Sequence, residues 1–185
     1  MLSVVKDLHL PYTRVMLINE KKDFQINEQE LFLEGVLCIN SSQWLPAYSI
    51  FKQLTDGAKS RSVHALYNMA LCCFYAKEYL QSVSILSEAI NGMVGTSSSS
   101  KQAGPSPEVL LYHEYDNNFH HLALTENILS LNASLVKLRI RRLMVDANQE
   151  MGNWDEVTRL STLPEMNKCK NVTQALAIAN TKTSY

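Results

Sequence analysis

With 185 residues, 46% of them hydrophobic and 19% charged, the chain is long enough for one domain with a substantial core and too apolar for a disordered segment. A net charge of −1 gives no general reason to expect nucleic acid or an anionic membrane as partner, and only 6 Gly and 5 Pro argue against a turn-rich β sandwich. No apolar run approaches the roughly 20 residues of a membrane span, and the N-terminus, which carries Lys6, Asp7 and Arg14, lacks a signal-peptide core.

Residues 1–26 place Leu2, Val5 and Leu8 before Pro11 and Val15, Met16 and Leu17 after it, which predicts short helices that either cap one end of a stack or form the tail of a preceding degenerate repeat. A helix is then expected from about Asn27 to Ile39, a turn over Asn40–Gln43, and a second helix from Trp44 with Pro46 in its first turn. Asp56-Gly57 closes this unit. The next unit repeats the plan, with a helix over Val63–Tyr75, a turn at Lys77-Glu78 and a helix over Tyr79–Asn91. The two units over 27–92 match at an offset of 35 residues: Gly35 with Ala70, Trp44 with Tyr79, Ala47 with Ser82, Phe51 with Leu86, Leu54 with Ala89. Small residues recur where helices must approach closely, and aromatics recur after the turn. Such a period marks helical-hairpin repeats that bury their apolar faces only by stacking.

Residues 93–107, rich in Gly and Ser around Gly95–Pro105, read as a flexible loop. Ser106-Pro107 opens a helix expected to reach about Phe119. Leu124, Ile128, Leu131, Leu135 and Leu138 recur at 4, 3, 4, 3, predicting a long helix that Gly152 ends, and Arg142 takes the next seam position. Asn153 with Glu156 suggests a capping box, and Trp154 stands where Trp44 and Tyr79 stand. A third, degenerate unit over 108–164 follows, its first helix lengthened at the N-terminal end and its second stopped by Leu163-Pro164. A final helix carrying Val172, Ala175, Leu176 and Ala179 and a short tail complete 165–185. The 4 cysteines, at 38, 72, 73 and 169, read as reduced packing residues. An intracellular, cytoplasmic protein is the expectation, with the nucleus left open.

These residues resemble the tetratricopeptide repeat family, well over Leu31–Ile90 and weakly over Leu135–Leu163. Leu31, Gly35, Trp44, Ala47 and Phe51 fit the pattern in the first unit, where Leu54 departs from a small residue. Leu66, Met69, Ala70, Tyr79 and Ala89 fit in the second; in the third Gly152 and Trp154 fit, while Val145 and Val157 are larger than the pattern's small residues. The resemblance implies an all-α, right-handed α-α solenoid of about three repeats with capping helices, whose leading helices line a concave groove.

The groove-facing stripe would then be Phe32, Val36 and Ile39 in the first unit and His64, Tyr67, Leu71, Phe74 and Tyr75 in the second. Such a surface suits an apolar or amphipathic segment of another protein, a helix or an extended peptide. Phe32 and Val36 stand where members gripping a partner's C-terminal carboxylate carry Lys and Asn, and only Asn68 is in keeping with that class. The competing reading makes Phe32 and Tyr67 core, covered by the N-terminal segment or the third unit. The expected function is a non-enzymatic scaffold within a larger complex, with no cofactor and no membrane partner. Self-association as part of a longer solenoid is the alternative.

Two other constellations carry less. His113, Asp116 and His120, with Glu114 and His121 beside them, share a helix face at i, i+3, i+7 but match no metal motif, so a solvated polar end and no metal are expected. Lys137, Arg139, Arg141 and Arg142 form the single basic run, where phosphate or an acidic partner would bind. Leu138, Ile140 and Leu143 interleave with it, favouring a buried helix with solvated arginines over nucleic-acid binding. No Gly-flanked Ser, Cys–His pair or glycine-rich phosphate loop is present, so no catalytic residue is expected.

Overall fold

The computed structural model describes residues 27–56, 62–93, 107–125 and 132–182, and every regular element among them is helical. The α-helices are α1 (Glu28–Asn40), α2 (Trp44–Asp56), α3 (Val63–Tyr75), α4 (Tyr79–Gly92), α5 (Pro107–Asp116), α6 (Ala133–Glu150), α7 (Trp154–Ser161) and α8 (Lys170–Lys182). Single 3₁₀ turns lie at Phe119–His121 and Met166–Lys168. The N-terminal cap expected over 1–26, Gly57, the loop around Gly95–Pro105, Ile128 and Leu131 lie outside the described residues. Among those described, no helix is long and apolar enough to cross a membrane.

Within each hairpin the helices pack on one another (α1 with α2, α3 with α4, α6 with α7), and the helix that follows lies against the second helix of the pair before: α3 on α2, α6 on α4, α8 on α7. The result is an all-α stack of successive hairpins, and its core is one cluster running from Phe32 to Ala179. Close approach explains the small residues. A Cβ on Gly35 would lie 2.7 Å from Phe51 Cζ, so nothing larger fits without displacing that ring. Ser82 is fully buried and donates its hydroxyl to the Ala70 carbonyl at 2.9 Å, which satisfies a polar side chain at a small-residue position.

The three hairpin turns share one backbone design. Ser42, Lys77 and Gly152 adopt φ of 57°, 64° and 70°. In each turn two N–H groups bond back across the helix end: Ser42 to the Ile39 carbonyl and Gln43 to Cys38, Lys77 to Phe74 and Glu78 to Cys73, Gly152 to Gln149 and Asn153 to Asn148. This is a left-handed helix terminus that satisfies the orphaned carbonyls, and it favours glycine at the middle position. Each such residue stands two before Trp44, Tyr79 or Trp154, so the backbone supports the register that placed the third unit. Lys77 bears the steric cost of a side chain in a left-handed conformation. Lys77→Gly is therefore expected to stabilise the protein by about 0.5–1 kcal/mol after the entropy of glycine is counted, read as a higher urea midpoint at unchanged slope.

Three local expectations differ from the structure. Helix α5 stops at Asp116 and not Phe119, because Asn117 turns its amide back to the His113 carbonyl at 2.7 Å. Leu124 is not on the long helix: α6 begins at Ala133, where Asn132 Oδ1 caps it by accepting from the Leu135 N–H at 3.1 Å. Asn153 makes no side-chain cap for α7; it donates to Asn148 Oδ1 at 3.0 Å, and Glu156 pairs with Arg159 at 2.6 Å. The lengthening of the third leading helix is present, with 18 residues in α6 against 13 in α3. All four cysteines are free thiols. Burial pushes Cys72 up to about 12 and Cys73 and Cys169 to about 11, which makes them packing groups and not nucleophiles.

Candidate functional site

Of the eight residues expected to face an open groove, Phe32, Val36, Ile39, His64, Tyr67 and Leu71 are buried, Phe74 is half-buried and only Tyr75 is exposed. Phe32 meets Phe51 edge-on at 5.4 Å between ring centroids and His64 at 6.4 Å. The stripe of the second unit is covered by the chain itself. Tyr67 donates its hydroxyl to the His120 carbonyl at 2.6 Å. Asn68 makes a two-point bond to the main chain of Leu124, its amide donating to the carbonyl at 2.9 Å and its oxygen accepting from the N–H at 2.8 Å. Phe74 and Tyr75 lie against the His121 ring at 5.3 and 5.9 Å. Residues 119–124 thus occupy the groove, and the expectation of a free apolar stripe is corrected on that ground.

The third unit anchors the same segment with charge. Arg139 grips the buried Glu114 carboxylate with Nε at 3.0 and 3.1 Å and Nη2 at 2.5 Å. Arg142, fully buried, donates to the carbonyls of Glu114 and Asn117 and, at 2.7 Å, to Asn171 Oδ1. Arg139 and Arg142, expected in solvent, are therefore interior, and Arg141 is half-buried, because α6 has α4, α5, α7 and α8 around it and keeps few solvent-facing positions. Two of the four basic side chains are consumed inside the protein and unavailable to phosphate. A sequence signal for this existed. Arg139, Arg142 and Asp146 stand 75 residues after His64, Tyr67 and Leu71, so one stripe changes from apolar to charged in passing from the second unit to the third.

His113, Asp116 and His120 do not come together: the first two are exposed and the helix ends between Asp116 and His120. Instead His120 and His121 both approach one oxygen of Asp146, with Nε2 at 2.7 and 3.0 Å from Oδ2. Asn171 donates to the other oxygen, Oδ1, at 2.7 Å. His120 is fully buried, and burial lowers its basicity below that of an ordinary imidazole and holds it neutral. Burial opposes ionisation of Asp146, yet the bonds from His120, His121 and Asn171 prevail and hold its carboxyl well below the usual range. A cleft of about 580 Å³ opens beside the three side chains, bounded by Asn118, Gln149, Asn171 and Gln174.

Both shifts act in one direction with pH. An imidazole whose folded basicity is depressed takes up its proton more readily in the unfolded chain, so its contribution is present above about pH 6.5 and is lost as pH falls below it. Asp146, whose folded value is also depressed, contributes above about pH 4 and loses that contribution below it. Denaturant midpoints are therefore expected to fall between pH 7.5 and 5.5 and again below pH 4. A flat profile from 7.5 to 5.5 would contradict a neutral buried His120.

The open apolar surface lies elsewhere. A cleft of about 410 Å³ is lined by Trp44, Leu45, Tyr48, Cys72, Cys73 and Gln81 among others. Trp44 stacks on Tyr75 with centroids 4.1 Å apart and planes 10° from parallel, which fixes one wall. Gln81 donates to the Tyr48 hydroxyl at 3.0 Å across the opposite side. Leu45 and Leu80 are equivalent positions of α2 and α4, and each is 76% exposed. Compared with protein-family models, curated proteins and solved structures, the chain gives no match.

Proposed function

We propose that the chain is a non-enzymatic interaction module of tetratricopeptide-like hairpins, a subunit that holds an apolar or amphipathic helix of another protein. The observation that carries this reading is the cleft beside Trp44, Leu45 and Tyr48, apolar and open, where the concave stripe is already covered. Large aliphatic side chains left at equivalent positions of α2 and α4 are hydration-costly in an isolated protein, and an amphipathic helix would cover them. Rigid aromatic walls such as the Trp44–Tyr75 stack are the kind of surface that anchors an interface.

Leu45→Glu separates this reading from a purely internal role. Leu45 is largely exposed, so the variant is expected to melt within a degree or two of wild type while losing about 30-fold or more in partner affinity, as central apolar anchors do. Affinity capture with both proteins in parallel, followed by titration of the captured partner, measures the loss. Identical capture by the two proteins would sink the cleft as the binding surface. A dimer seen by light scattering that Leu45→Glu dissociates would assign the same cleft to self-association.

A further inference from the structure

We infer that His120, His121 and Asp146 form a binding site for one divalent transition-metal ion, zinc foremost, which fastens the segment seated in the groove to α6. The donor atoms, two imidazole nitrogens and a carboxylate oxygen, lie within 4.8 Å of one another without an ion. Tetrahedral zinc with bonds of about 2.0–2.1 Å needs its ligand atoms roughly 3.3 Å apart. The separations of 2.7 and 3.0 Å from Asp146 Oδ2 to the two nitrogens are a few tenths short of that, so small side-chain rotations admit the ion.

Three further features favour a metal over a hydrogen-bond cluster alone. Two neighbouring rings converge on a single carboxylate oxygen, a redundancy that hydrogen bonding does not require. The remaining oxygen is fixed by Asn171 at 2.7 Å, and Asn171 is fixed in turn by Arg142 at 2.7 Å, the outer-sphere bracing that ligating carboxylates commonly have. The adjoining cleft of about 580 Å³ leaves space for water in the fourth position. Two imidazoles and one carboxylate suit zinc, cobalt and nickel better than magnesium or calcium. On binding, the Nε2 atoms of both rings turn their lone pairs to the ion in place of their contacts with Asp146 Oδ2. The positive charge of Arg142 opposes the ion, and Asp146 supplies the compensating charge. Because the two histidines sit on the groove-filling turn and Asp146 on α6, the ion would tie two stretches of chain that are otherwise joined by hydrogen bonds.

The test is zinc chloride titrated calorimetrically into the chelator-treated 185-residue chain. One ion per chain is expected, with a melting temperature about 5–10 °C higher at free zinc of 100 times the dissociation constant. His121→Gln keeps an N–H to offer Asp146 but loses the imidazole, and it should weaken zinc at least about tenfold. His113→Gln, at an exposed histidine, should leave binding unchanged. Cobalt in the wild-type chain should give visible d–d bands without a thiolate charge-transfer band, a readout independent of whether any variant folds. Absence of binding, undiminished affinity in His121→Gln, or a thiolate band placing the ion on the cysteines would overturn the site.

Discussion

Leu71→Glu is expected to unfold the protein. Leu71 has no exposed surface, stands in the middle of α3, and lies in a helix whose residues from Val63 to Cys73 are all buried. A carboxylate there has no partner, and burying it costs several kcal/mol even after it takes up a proton, on top of the packing lost from the leucine. Domains of this size are stable by about 5–15 kcal/mol, so the substitution removes most or all of the margin. Circular dichroism should show a loss of helical signal and of the cooperative melt. A folded Leu71→Glu protein that had merely lost a partner would mean that the groove is open in solution and that residues 119–124 do not sit in it. Set against the mild Leu45→Glu, the pair distinguishes an interior leucine from an available one.

The second large effect concerns Glu114 and Arg139. Both are buried, and the pair is bonded through three contacts between 2.5 and 3.1 Å. Replacing one partner leaves the other charge without compensation, so Glu114→Ala is expected to destabilise by about 3–5 kcal/mol. Replacing both with apolar residues of similar length, Glu114→Leu with Arg139→Met, should recover most of that loss, because two desolvated charges are removed together. The coupling read from the double-mutant cycle is the diagnostic quantity. Additive losses in the two single variants and the double would show that the pair does not form.

Hairpin boundaries were legible because the information is local. The limits of α3 fell where periodicity and the turn at Lys77 placed them, and Trp154 marked the third turn although its unit has lost most of the pattern. Where local signals conflicted, the stronger backbone chemistry won: the heptad count ran through Leu124 to Leu138, but Asn132 lies inside that run and caps a helix instead of continuing one. The candidate site was less legible for a different reason. Whether Tyr67 or Leu71 faces water depends on which distant stretch of chain covers it, and no periodicity within α3 reports that. Residue type alone assigns the arginines of KLRIRRL to solvent, yet the carbonyl and carboxylate partners of Arg139 and Arg142 come from α5 and the turn after it. The charged stripe of Arg139, Arg142 and Asp146, read against the acidic and imidazole groups of 114–121, was the available clue.

The bonds that seat the groove-filling segment connect residues 53 and 56 positions apart, whereas the hairpins are built from neighbours. Loop-closure entropy opposes such distant pairings, and the helical hairpins have no comparable delay. Assembly should therefore proceed with the hairpins first and the seating of 119–124 as a later event with its own rate. The Leu124 amide, which donates to Asn68 Oδ1, is a natural clock for that event, since its hydrogen–deuterium exchange follows local opening of the seat while the amides of α3 wait for global unfolding.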